Sequence, residues 1–280
     1  MALGKLFKSH GDRSKLQLIL KRGLHGRSGI LLKYKKPTVH LMPQLQAVLF
    51  EINGVFLNDS AIQFELLDEI LLSENLRPTD AIYQNESLGK SDRRCLQECL
   101  ALRGRIVSDE YLDKLIAKKS QAYQAKLSAL ETFPVASDIL PFITSLKLKD
   151  LLLGIVTGYS STDTDYILGQ LELKDAFDIV LTADDIPIFK PSGDSYRAAI
   201  KALQTKYPER QITAKNCLAI EDNFHGIQAA KSARIPVVGV ARTYPFHMMQ
   251  RCSNWCVDYL TELELERIDP SLAPPAEVLQ

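Results

Sequence analysis

Five short apolar runs constrain this chain more than any other feature. They are Gln46–Glu51, Leu152–Val156, Ile179–Leu181, Cys217–Glu221 and Val237–Val240, all rich in Val, Ile and Leu. Each has the length of a strand and is apolar almost throughout rather than alternating, which predicts strands buried on both faces. Between the last four lie segments with helical spacing: Thr164–Leu171, Asp194–Thr205 and Phe224–Ala233. Such alternation predicts an α/β fold, a doubly wound parallel sheet covered by helices on both sides.

The interval between the first two runs breaks this rhythm. It spans about 100 residues and shows helical patterns instead of strands. In Ser60–Leu76, Ile62, Leu66 and Ile70 share a stripe, with Leu67 and Leu71 beside it. In Ser108–Leu130, Leu112, Ile116, Tyr123, Leu127 and Leu130 form another, opened by a Ser108-Asp-Glu cap and acidic first turn. An all-helical insertion is expected, forming its own small bundle over the strand ends. The boundaries that follow are a basic extension at 1–43, a core at 44–59 and 138–268, an insertion at 60–137 and a Pro-rich, mobile tail at 269–280.

Composition excludes several classes. Hydrophobic content of 46% and charged content of 24% fit an ordinary globular protein. No apolar run approaches the roughly 18 residues of a membrane span. Five scattered cysteines without a CxxC pair argue for a reducing compartment, so a cytoplasmic location is expected. The net charge of zero hides an asymmetry: residues 1–43 hold ten Lys/Arg and one acid, Asp12, while the remainder holds 24 basic and 33 acidic residues. The basic segment reads as a transit peptide to an organelle such as a plastid or mitochondrion, as a basic arm docking a protein partner or anionic surface, or as an appendage ahead of a start at Met42. Its only aromatics are Phe7 and Tyr34 and no recognition motif follows, so no nucleic-acid partner is expected.

In open parallel sheets, ligands bind beyond the carboxyl ends of the strands. The first run ends Glu51-Ile-Asn53-Gly54, the second leads into Thr157-Gly158-Tyr-Ser, the third is followed by Phe189-Lys190-Pro-Ser-Gly-Asp194, and the fourth ends Glu221-Asp222-Asn223. One lysine, one hydroxyl and several acids or amides thus converge on one rim. Carboxylates favour a hard cation such as Mg²⁺. Thr157 with the free N–H groups of the next helix can hold phosphate oxygens, and Lys190 can neutralise a transferring phosphoryl group.

This arrangement resembles the haloacid dehalogenase superfamily, in particular its phosphatase and phosphomutase branch with a helical cap inserted after the first strand. The resemblance covers roughly residues 45–265 and rests on four motifs in order, among them "IEDNFHGIQAA" and "KPSGDSYRAA". It implies a Rossmann-like core and a pocket for a small phosphorylated metabolite with Mg²⁺, as in phosphoglycolate phosphatases and β-phosphoglucomutases. The family's first strand normally ends Asp-x-Asp-Gly, the first Asp being the nucleophile and the second the general acid/base. Thr157, Lys190, Glu221, Asp222, Gly54 and Val55 match that pattern. Glu51, Asn53, Asn58 and Gly193 depart from it. The resemblance implies catalytic positions at Glu51, Asn53, Thr157 and Lys190, and metal positions at Glu51, Asn53, Glu221 and Asp222. Substrate contacts are expected at Gly54, Gly158 and the cap residues Lys90, Arg93 and Arg94, though both arginines would equally suit a solvated helix end.

Two departures bear on turnover. Glu51 carries its carboxylate roughly 1.5 Å further from the backbone than Asp, and misplacement of a reacting atom by about 1 Å can cost around a hundredfold. Asn53 cannot shuttle a proton at neutral pH, which removes help worth roughly 10²–10⁴-fold. The expectation is a phosphometabolite-binding protein impaired in catalysis, a pseudoenzyme. The alternatives are an active Mg²⁺-dependent phosphatase or phosphomutase and a purely structural or interaction protein. Asp194 is expected to cap the helix after it, Asp184-Asp185 to form a solvated turn with a capping role, and the cysteines to pack rather than bind metal. His225 is expected either at the rim or as an ordinary helix residue.

Overall fold

A computed structural model describes residues 44–186 and 190–273. The basic segment with Met42, residue Phe189 and the chain after 273 lie outside the described residues. Among those described, six strands form one parallel sheet: β1 (Ala47–Phe50), β2 (Leu152–Val156), β3 (Ile179–Leu181), β4 (Cys217–Glu221), β5 (Val237–Val240) and β6 (Trp255–Val257), in the order β3-β2-β1-β4-β5-β6. The first five are the predicted runs. The sixth was not expected: it reads Trp-Cys-Val, without the Val, Ile and Leu run that marks β3, the three-residue, partly buried strand at the opposite edge.

β1 is central, with Ala47 opposite both Leu152 and Cys217. Its four residues are inaccessible to solvent, and alternate side chains enter opposite layers. Val48 and Phe50 face a layer built on helices α5 (Ile139–Leu148), α6 (Ser161–Gln170) and α10 (Leu265–Ile268). Ala47 and Leu49 face α7 (Asp194–Lys206), α8 (Phe224–Ser232) and α9 (Phe246–Cys252). Covering helices on both faces explain why these strands are apolar throughout. Phe50 packs edge-on against Phe56, Phe142 and Phe177, with ring centroids 5.6, 6.1 and 6.2 Å away. Burial of such a ring contributes about 1.5–3 kcal/mol, and it fixes the backbone immediately before Glu51.

The insertion is helical, as expected: α1 (Ser60–Ser73), α2 (Ala81–Ser87), α3 (Asp92–Leu102) and α4 (Asp109–Ser128). It has an apolar cluster of its own, with Leu67, Ile70 and Leu71 of α1 against Leu96, Cys99 and Leu100 of α3 and Leu112 and Leu115 of α4. Leu66, Tyr123 and Leu127 point instead into the main core. Ser108 caps α4 by accepting from Tyr111 N–H, while Ser91 and Asp80 cap α3 and α2 in the same way. Leu130, expected on the α4 stripe, lies past the helix end and is exposed. The expected mobile tail begins with a docked turn: Asp269 is buried, its Oδ2 accepts from Leu45 N–H at 2.6 Å, and Pro270–Leu272 form a short 3-10 helix. Among the described residues no helix is long and apolar enough to cross a membrane.

Candidate active site

The strand ends gather the predicted rim residues. Glu51 follows β1, Thr157 follows β2, Glu221 ends β4 and Asp222 follows it, and Lys190 precedes α7. Lys190 Nζ lies 2.5 Å from Glu51 Oε2, 2.6 Å from Glu221 Oε1 and 3.0 Å from the Val156 carbonyl, with its side chain sealed from solvent. Burial alone would depress the Lys190 ammonium. The Glu221 and Glu51 carboxylates outweigh it and hold the lysine above its ordinary value. Glu51 Oε1 accepts from Ile52 N–H at 2.7 Å, Thr157 Oγ1 at 2.5 Å and Asn53 N–H at 3.4 Å.

Asn53 belongs to a second network that the sequence did not announce. Its Nδ2 donates to Asp59 Oδ1 and lies equally close to the Tyr159 hydroxyl, both at 2.9 Å. Asp59 Oδ2 accepts from Tyr123 and Tyr159 hydroxyls at 2.6 Å each and from Gln63 Nε2 at 3.1 Å. Asp59 is buried, and its partners here are neutral donors. The rings of Tyr123, from α4, and Tyr159, from the core, stack at 5.8 Å. Burial first, and then the Asp59 charge, push both tyrosine hydroxyls well above their ordinary pKa.

The β4 acids are buried and protonate easily. Burial raises Glu221 to about 8, with Glu51 adding to the rise and Lys190 and Tyr196 opposing it. Glu221 Oε1 accepts from the Tyr196 hydroxyl at 2.6 Å, while Oε2 has no hydrogen-bond partner among the described residues. Burial raises Asp222 to about 6 against the pull of hydrogen bonds from Thr243 and Asn223. Gly54 is obligatory here: its φ is +69°, and a Cβ would overlap the Asp222 carboxylate. The donor chemistry of Glu51, Glu221, Asp222 and the Asn53 carbonyl suits a hard cation such as Mg²⁺. The arrangement does not. Glu51 and Glu221 both turn toward the Lys190 ammonium, the Asp222 oxygens are engaged by Asn223 and Thr243, and no group of three or more His, Cys, Asp or Glu is gathered around one point among the described residues.

A cavity of about 60 Å³ lies above Glu51, between cap and core. At about 10–15 Å³ per water it holds a handful of waters, so it suits a small polar ligand. Glu51, Asn53, Gly158 and Tyr159 line it from the core, Lys90, Asp92 and Lys119 from the cap. Lys90 pairs with Glu98 at 2.8 Å, and the buried Lys119, which the sequence did not single out, pairs with Asp92 at 2.8 Å and with Gln63. Gly158 packs beside the Lys90 carbonyl, and Gly54 lies apart, under Asp222. Arg93 and Arg94 line a wider outer cleft, where Arg93 pairs with Asp109 and Asp113 and Arg94 with Glu98. His225 reaches the rim, its Nδ1 lying 2.9 Å from the Leu88 carbonyl of the cap.

The other expectations divide. Gly193, not Asp194, is the N-cap of α7; Asp194 occupies the first turn and pairs with Ser192 and Arg197. Asp184 does serve a helix start, accepting from Ser161 N–H and hydroxyl, both at 2.8 Å. Cys99 and Cys217 are buried and all five cysteines are free.

A family model described as haloacid dehalogenase-like hydrolase matches residues 48–240. A phosphoglycolate phosphatase of Colwellia psychrerythraea is 24% identical over 229 residues, covering 79% of this chain and 96% of that protein. A β-phosphoglucomutase of Bacillus subtilis is 26% identical, covering 72% and 85%. Among solved structures, a β-phosphoglucomutase from Clostridium difficile superposes with a TM-score of 0.70 at 20% identity, covering 82% of this chain and 97% of that one. CbbY from Rhodobacter sphaeroides in complex with phosphate gives 0.67 at 18%, covering 79% and 97%. At these identities the solved structures speak to the fold.

Proposed function

The chain belongs to the haloacid dehalogenase-like hydrolase family, and from that premise we propose that it binds a small phosphorylated metabolite between cap and core without turning it over at a useful rate. Residues 44–59 and 138–268 form the core in this reading, and 60–137 the cap. The observation that carries it is the engagement of Glu51. Its Oε1 accepts from Ile52 and Thr157 and its Oε2 is turned to the Lys190 ammonium, so one oxygen is filled and the other is aimed at a cation instead of at an incoming electrophile. A nucleophile needs a free lone pair aimed at the reacting atom. The second observation is that the Asn53 amide is a donor held by Asp59, which leaves no proton shuttle at that position.

The ligand enters through the outer cleft past Arg93 and Arg94, and its anionic end faces Lys90 and Lys119. Mg²⁺, which the family resemblance implies, enters no step here because the carboxylates turn toward Lys190. An active phosphatase is the second reading, favoured by the convergence of Thr157, Lys190, Glu221 and Asp222 on one rim. Phosphate release by the purified full chain separates the two, measured with phosphoglycolate and a panel of sugar phosphates, with and without Mg²⁺. The proposal expects saturable binding of at least one compound and turnover at background. Brisk release of phosphate overturns it.

A further inference from the structure

We infer that Glu51 is a built-in anion: its carboxylate occupies a site shaped for a tetrahedral oxyanion, and removing it exposes a site for inorganic phosphate. This deepens the reading above by naming what fills the phosphoryl cradle in the resting protein.

Four donors converge on this one carboxylate from three separate segments. Ile52 and Asn53 offer successive backbone N–H groups after β1, Thr157 a hydroxyl after β2, and Lys190 an ammonium before α7. Successive N–H groups beside a cation are the usual makings of an anion-binding concavity. Three of the donors crowd onto Oε1, at 2.5, 2.7 and 3.4 Å, while Oε2 takes the lysine. One carboxylate oxygen has two lone pairs, so Oε1 is oversubscribed. An anion with three or four oxygens would spread the same donors without crowding. The present occupant takes these donors unevenly, three on one oxygen and one on the other.

Without Glu51, Lys190 still keeps two oxygen partners. Glu221 Oε1 stands 2.6 Å from the same ammonium, with the Val156 carbonyl at 3.0 Å. Side-chain length explains how Glu51 reaches the cradle: an aspartate would end roughly 1.5 Å short, leaving the donors to an incoming ligand. Removing the side chain leaves Thr157, two N–H groups and Lys190 facing an emptied, buried space.

The test compares the full-length wild type with Glu51→Ala and Glu51→Gln, using inorganic phosphate without added metal. Calorimetry and phosphate-dependent melting are the readouts. The expected result is phosphate binding by Glu51→Ala at least about tenfold tighter than by wild type, a difference worth about 1.4 kcal/mol. Glu51→Gln still fills the cradle and gains nothing, and Thr157→Val added to Glu51→Ala cancels the gain. If Glu51→Ala does not fold alone, millimolar phosphate, and not chloride of equal ionic strength, restores its cooperative melt. Wild type binding phosphate as tightly as Glu51→Ala overturns the inference. So does a variant that neither binds phosphate nor is rescued by it. Turnover is not read in this experiment, so its failure is distinct from failure of the functional reading.

Discussion

Asn53 and Asp59 are joined by a hydrogen bond of 2.9 Å from the amide Nδ2 to Oδ1, and the same carboxylate holds the hydroxyls of Tyr123 and Tyr159. Asn53 is therefore a fixed donor in a link between cap and core.

Asn53→Asp would place two carboxylates in contact. One must then keep its proton in the folded state, so its folded pKa rises above the unfolded value of about 3.9. An acid whose folded pKa is raised loses stability as pH climbs from the unfolded value through the folded one. Urea denaturation of Asn53→Asp should match wild type closely near pH 4 and fall short by about 1–4 kcal/mol at pH 7.5. Adding Asp59→Asn should restore most of the loss. Equal stability of Asn53→Asp and wild type at pH 7.5 would show that the contact does not exist.

The same contact governs attempts to restore chemistry. Glu51→Asp with Asn53→Asp alone should stay inactive, because Asp59 holds the new acid. With Asp59→Asn added, phosphate release in the presence of Mg²⁺ should rise at least about a hundredfold over wild type, given what placement and acid/base help contribute. A double variant as active as the triple one contradicts the role given to Asp59.

Tyr123→Phe and Tyr159→Phe each take one hydroxyl from a buried acceptor. Each should cost about 1–3 kcal/mol, and because they share Asp59 the double variant should depart from the sum by 0.5 kcal/mol or more. A double-mutant cycle from chemical denaturation gives the answer, and strict additivity would mean that the hydroxyls do not act on one group.

The β4 acids set a pH dependence. Glu221 titrates at about 8 and Asp222 at about 6 in the folded protein, both raised by burial above 4.5 and 3.8. The folded state keeps protons that the unfolded chain has released, so stability falls as pH rises from about 4 to about 8, at up to about 1.4 kcal/mol per pH unit for each group. Melting temperature against pH should show this decline, with its upper part flattened in Glu221→Gln. A flat wild-type profile over that range would remove the assignment.

Gly54→Ala puts a methyl group into the Asp222 carboxylate at a φ of +69°. The backbone strain alone is of order 1–3 kcal/mol, and displacement of Asp222 adds to it. A melting curve indistinguishable from wild type would mean the loop yields more easily than its packing suggests.

Most of the rim was legible because strand ends are legible. Once β1, β2 and β4 are read as buried strands, Glu51, Thr157 and Glu221 must sit at their carboxyl ends, and chain order places Lys190 nearby. Asp59, Tyr123 and Tyr159 carry no such mark. Their network joins a helix start, the middle of α4 and the loop after β2, and no local period connects those positions. Asp59 beside the departure at Asn58 was the one available hint. Lys119 sits on the cavity side of α4, where its charge reads like any solvated face. β6 reads Trp-Cys-Val and lacks the Ile-Val-Leu run that marks β3, an edge strand of the same length.

The central place of β1 bears on how the protein comes to be folded. Its two neighbours, Leu152–Val156 and Cys217–Glu221, are more than a hundred residues further along. During synthesis this apolar segment emerges early and meets its second partner only when most of the polypeptide has been made. Contacts this distant close slowly and leave sticky surface exposed in the meantime. The donors around Glu51 come from the ends of β1 and β2 and the approach to α7, 106 and 139 residues away in the case of Thr157 and Lys190, so the cradle exists only once segments this far apart in the chain have come together.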